Sequence, residues 1–146
     1  MRQSVYIGLA ALGLALGSAS SASSRAWDTI TLDCKLTPAA VLTAWKGQVT
    51  PQELKPDNPD DTMLVTFTGF DEKSGRATMV GNAGSSPVFF SDEMGHLQII
   101  QITDTKNVAT TTITIDGQDV RALHTRHMWL VDSGVLSVYA GPCRMR

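Results

Sequence analysis

The sequence predicts an all-β fold. The expected form is an antiparallel up-and-down meander of about eight strands closing into a small barrel, with a two-sheet β-sandwich as the alternative. Three observations carry this. Short runs rich in Val, Ile, Thr, Phe and Tyr alternate apolar with polar side chains. Clusters of Gly, Asp, Asn and Ser, the residues that accept turn dihedrals, break those runs every eight to twelve residues. The connections are short enough for antiparallel neighbours, and a cysteine stands near each end of the folded region, Cys34 and Cys143.

Taken in order, "WDTITLDC" (27–34) reads as the first strand, with Ile30, Leu32 and Cys34 on one face. "LTPAAVLTAWKG" then reads as one short helix from Pro38 to Lys46, with Thr37 as N-cap, Pro38 at the first helical position and Gly47 as the stop. "VTPQELKPDNPDD" (49–61) has three prolines, four acidic residues and no periodicity, and reads as an exposed loop. "TMLVTFTGF" (62–70) is the next strand. The turn "DEKSG" leads to "RATMVGN", "AGSS" to "PVFFS", "DEMG" to "HLQIIQIT", "DTKN" to "VATTTITI", "DGQD" to "RALHTRHMWL", and "DSG" to "VLSVYAG". In "TTTITI", Thr110, Thr112 and Thr114 share one face, expected to be solvated, and Thr111, Ile113 and Ile115 the other.

The first 26 residues read as something other than fold. Arg2 supplies a positive start, "VYIGLAALGLAL" (5–16) is an apolar run of 12 residues, and the small residues "GSASSASSRA" follow. This is the three-part pattern of a secretory signal peptide, with cleavage after Ala22 or Ala26. The run is too short to span a bilayer, which takes about 20 residues. Residues 27–146 are then one β-barrel domain, periplasmic or secreted, with no stable membrane anchor after cleavage. Losing Arg2 and Arg25 from 12 basic residues leaves 10 against 14 acidic ones, a net charge of −4. That balance argues against nucleic acid as a partner. Export also favours a Cys34–Cys143 disulfide, whose closed loop of about 110 residues is worth up to about 4.7 kcal/mol of unfolded-state entropy. Two buried thiols remain the alternative. A redox pair would want a C-x-x-C motif, and none is present.

"RALHTRHMWL" (121–130) carries two histidines with two arginines. His124 and His127 are three apart, so on a strand they point to opposite faces and do not share a metal ion. No metal and no cofactor is expected. The odd-numbered face, with Leu123, Trp129 and Val131, reads as the inward one. It would place Thr125 and His127 inside the barrel or at its mouth. His127 is then either an interior histidine bonded to Thr125, Ser137 or Tyr139, or part of the lining of a ligand cavity. Trp27, Trp45 and Trp129 are dispersed and read as core plugs. The acidic turns "DEKSG" and "DNPDD" lack EF-hand spacing. A nucleophile elbow, a P-loop, an H-E-x-x-H and a G-x-G-x-x-G are all missing, so enzymatic activity is not the expectation.

The ending "TRHMWLVDSGVLSVYAGPC" (125–143) resembles the C-terminal hairpin of small exported bacterial β-proteins of unknown function. The residues that carry this are Arg126, His127, Tyr139, Gly141 and Cys143. In size and strand count the chain is similar to avidin- and lipocalin-like barrels, a resemblance that implies architecture and transfers no ligand. The expected function is a non-enzymatic exported binding protein for a small apolar ligand, with Thr125, His127, Trp129 and Tyr139 in the lining. The alternative is an extracytoplasmic protein-interaction module, such as a hydrolase inhibitor, contacting its partner through the 48–61 loop.

Overall fold

Nine strands make up most of the chain that the computed structural model describes, residues 26–46, 48–52, 54, 61–93, 95–130 and 132–146. They are β1 (Leu32–Trp45), β2 (Gln48–Pro51), β3 (Met63–Asp71), β4 (Arg76–Gly81), β5 (Gly84–Glu93), β6 (His96–Ile102), β7 (Val108–Asp116), β8 (Asp119–Leu130) and β9 (Ser133–Met145). The predicted signal peptide lies outside the described residues, apart from Ala26.

β1 and β3 to β9 pair antiparallel in chain order, and β9 pairs back onto β1, so eight strands close into a barrel. Closure removes the open edges that a sandwich would keep. β2 is a ninth strand folded back on the last residues of β1, from Leu42↔Pro51 to Trp45↔Gln48. The disulfide Cys34–Cys143 joins directly opposed residues of β1 and β9 and so staples the seam where the barrel closes. It links positions 109 apart in sequence.

The inner face follows from alternation. Leu32, Leu36, Phe67, Val88, Leu97, Ile99 and Ile113 are fully buried inside the barrel. Thr111, Ile113 and Ile115 point in, and Thr110, Thr112 and Thr114 point out, as the alternation predicts. One step is out of phase. Gly69, at φ +62°, lies in a bulge of β3, and the extra residue turns Phe70 inward. Phe70 stacks edge-on against Phe90, with ring centroids 5.1 Å apart, and lies 5.6 Å from Trp27. Trp27 sits in the 3₁₀ turn Trp27–Thr29. Its indole N–H donates to Asp92 at 2.6 Å and its backbone N–H to Glu72 at 2.8 Å. Together these aromatic rings plug one end of the barrel.

The helix expected over Pro38–Lys46 does not form. Those residues are the second half of β1, held by a long register against β9 that runs from Thr37↔Ala140 to Trp45↔Ser133. Ala and Leu favour a helix locally, but a hydrogen-bonded seam with matched apolar faces outweighs a propensity of a few tenths of a kcal/mol per residue. Pro38 is accommodated at a bulge between Pro38 and Ala40, where a missing N–H is tolerated. The bulge also reverses the phase of β1, which is why its apolar residues do not keep a simple alternation. The loop expected to begin at 49 is likewise corrected, since Gln48–Pro51 are β2.

Beyond the points where β3 and β7 stop pairing, the sheet continues. The far halves of β1, β8 and β9, with β2, form a four-stranded extension in the order β2-β1-β9-β8. It rises from the end of the barrel opposite the Trp27 plug.

Candidate functional site

The strand registers define rows of side chains across the inner wall, and these rows change character along the barrel axis. Below the cavity is Leu97–Ile113–Ala122–Gly141, entirely apolar or small. Next comes Ile99–Thr111–His124–Tyr139, and nearest the open end Gln101–Ala109–Arg126–Ser137. A well-filled barrel core thus gives way to a polar wall on β8 and β9.

This wall faces a cavity of about 600 Å³ at the unplugged end. Across the ring, β3 and β4 contribute Met63, Val65 and Met79, an apolar wall rich in thioethers. Between the two, the side-chain amide of Gln101 donates to Ser86 at 2.8 Å, bridging β6 to β5. Asp61 and Asp104 stand at the rim, both exposed to solvent.

His124 is the most constrained polar group in the cavity. It is 2% exposed, and its Nδ1 lies 2.8 Å from the Thr111 hydroxyl, a hydrogen bond buried between β7 and β8. Its ring stands 6.2 Å from that of Tyr139 at a steep angle. Burial disfavours the imidazolium, and the nearby Arg126 guanidinium adds repulsion. Together they push the His124 pKa down to about 4. At neutral pH His124 is an uncharged donor–acceptor, and Arg126 is the cation beside it.

The inward face of β8 is the reverse of the one expected from the sequence. Val120, Ala122 and His124 are buried, whereas Leu123 is exposed and Trp129 is 76% exposed. His127 and Thr125 are therefore on the outside. Thr125 is half-buried there and bonded to Thr110 at 2.6 Å, so it does not partner His127 within the barrel. His127 and Trp129 instead line a shallow apolar hollow of about 300 Å³ on the outer face of the sheet extension, with Leu42, Ala44, Val49 and Leu136. Of the four residues expected to line one site, only Tyr139 reaches the cavity. Trp45 is also exposed, so Trp27 alone of the three tryptophans plugs the core.

The sequence hides the inward placement of His124 and Arg126 because the apolar residues Leu123 and Trp129 dominate the opposite face. The phase of Cys143 was the available signal. With Leu130 opposite Ser133, Cys143 pairs with Val120, and Tyr139 with His124. An inward Cys143 therefore puts Val120, Ala122 and His124 inward too.

Among the described residues, no three His, Cys, Asp or Glu side chains come together as a metal site. No helix of the described residues is long and apolar enough to cross a membrane. Compared with family models, with curated proteins and with solved structures, the chain matches none.

Proposed function

We propose that this protein is an exported, non-enzymatic binding protein that takes a small, largely apolar molecule into the open end of its barrel. One observation carries the reading. A barrel sealed at one end by Trp27, Phe70 and Phe90 keeps at its other end a cavity of about 600 Å³, with an apolar wall facing a polar one. Filling that space with side chains would have stabilised the fold, as the deeper rows do. Cavities of this size with a few converging polar groups are the usual form of small-molecule sites.

Export is part of the proposal. The N-terminal pattern of residues 1–26 supports it, as does a disulfide at the barrel seam, since such bonds persist in oxidising compartments.

The test is native mass spectrometry of the protein purified from its export compartment without detergent, beside a Met79→Trp variant that fills the cavity. A bound mass that is lost in the variant supports the reading. A bare polypeptide that also fails to take up apolar dyes at high concentration contradicts it.

A second reading is favoured by a different surface. Exposed Trp129 and Val49, with half-buried Leu42 and Leu136, form an apolar patch on the outer face of the extension. Such patches mark protein-interaction sites. On this reading the extension docks an extracytoplasmic protein partner such as a hydrolase. Trp129→Ala would abolish capture of that partner and leave cavity binding intact.

A further inference from the structure

We propose that the molecule held in the barrel mouth is a monocarboxylate, its carboxylate seated against Arg126 between His124 and Tyr139 and its apolar body against Met63, Val65 and Met79. This rests on the small-molecule reading above and adds the chemistry of the head group.

The polar wall is a wall of donors. Arg126 offers five N–H groups in a planar fork, which matches the two oxygens of a carboxylate. Among the described residues the ion pairs are Arg121–Asp119 and Arg146–Asp33, so Arg126 enters the cavity with no carboxylate within 4 Å. His124 has one nitrogen tied to Thr111, and its other ring nitrogen has no protein partner among the described residues. Tyr139 brings a phenolic hydroxyl to the same wall, opposite His124 in the strand register.

Charge placement selects an anion rather than a cation. Asp61 and Asp104 also line the cavity, and all three charged side chains are exposed at its mouth. Arg126 stands two residues from His124 on the same face of β8, whereas Asp61 precedes β3 and Asp104 lies between β6 and β7. The cation is therefore the one charge of the lining that shares a strand face with His124. One cation in a mouth that also holds two carboxylates suits a single negative charge better than a phosphate dianion, which the carboxylates would repel. The opposite wall decides the rest of the ligand. β4 stands four places round an eight-stranded ring from β8, so the apolar body packs directly across from the head group.

The experiment titrates the full mature protein with three probes that share one compact apolar body, 2-naphthoate, 2-naphthalenemethanol and 2-naphthylmethylammonium. Naphthyl fluorescence is read at pH 7.4, for wild type and for Arg126→Gln, with thermal melts confirming that the variant folds. The expected result is naphthoate binding at least about tenfold tighter than the other two, the range of one charge-assisted hydrogen-bonded pair. In Arg126→Gln, naphthoate falls to the affinity of the alcohol, while the alcohol's own Kd changes less than about twofold. The proposal is overturned if wild type binds the alcohol or the ammonium as tightly as naphthoate, or if Arg126→Gln weakens all three alike. Saturable binding without head-group discrimination removes the carboxylate and keeps the cavity. Absence of saturable binding by all three removes the cavity reading, and the carboxylate with it.

Discussion

Lowering the pH from 7 to 4.5 should destabilise the barrel through one side chain, His124. Its imidazole is buried against Thr111 with its pKa held down at about 4, first by burial and then by Arg126. In the unfolded chain the same group titrates near 6.5. Between these values the unfolded state binds more protons than the folded one, so stability rises with pH across the window. The contribution is complete above 6.5 and is lost as pH falls to 4. The full difference is about 3 kcal/mol, and about 2.5 kcal/mol of it is gone by pH 4.5. That is a large share of the ~5–15 kcal/mol that holds a domain of this size. Asp33 and Asp71 are both held below the ordinary carboxylate value, by Arg146 and by Ser74 respectively. Their losses therefore centre below pH 3.8 and contribute little within the window. The assay is urea unfolding at half-unit steps from pH 7 to 4.5, for wild type and His124→Gln. The variant should be less stable at pH 7 and nearly flat across the window, so that the two curves converge on acidification. NMR of the imidazole nitrogens should show His124 neutral down to pH 5 in the folded protein. Parallel unfolding curves, or a folded-state midpoint near 6.5, would refute the reasoning.

The plug, the seam and the start of the chain give further tests. Trp27→Ala removes a buried ring from the closed end and should cost about 3–5 kcal/mol in denaturant unfolding; a loss under about 1 kcal/mol would mean the plug is dispensable. Replacing Cys34 and Cys143 together by Ser should lower stability by about 2–5 kcal/mol in the same assay, and an unchanged value would show that β1–β9 pairing suffices alone. Gly141→Ala sets a Cβ against the Lys35 carbonyl oxygen of the neighbouring strand and should cost about 3 kcal/mol or more, whereas at Gly134 the added Cβ meets only the exposed Trp129 ring. Gly134→Ala should therefore change the melting temperature little. Cleavage after Ala26 would turn the Trp27 amide, now donating to Glu72, into an ammonium facing a carboxylate. N-terminal sequencing of the exported protein should begin at Trp27, and a start at Ser23 would remove that ion pair.

Much of the barrel was legible because β patterning is read by local rules. The alternation in "VATTTITI" and the turn clusters around it give β7 and its inward face directly. The cysteine pair gives the seam, because one cysteine near each end of the folded region and an even count favour a bond. Two features escaped for physical reasons. Residues 38–46 carry a helix-like composition, and only a distant partner, β9, makes them a strand. The inward face of β8 was misjudged because a strand that runs past the barrel has two apolar faces, one for the core and one for the exposed extension. The turn cluster "DSG" (132–134) also suggests a register with positions 131 and 135 opposed, whereas Leu130 pairs with Ser133, three residues out of step, and an odd shift moves every side chain to the other face. With it went the site, since His124 and Arg126 lie on the face that was taken to be outside.

The central claim is that a small molecule enters the open end of the barrel, and the methionines report on it directly. Met63 and Met79 line the cavity, Met128 borders the outer hollow, and Met145 packs at the core beside the seam. With the methionine methyl groups labelled with carbon-13, 2-naphthoate should shift the Met63 and Met79 resonances saturably and leave Met128 and Met145 in place. Shifts confined to Met128, or no saturable shift at all, would contradict the account.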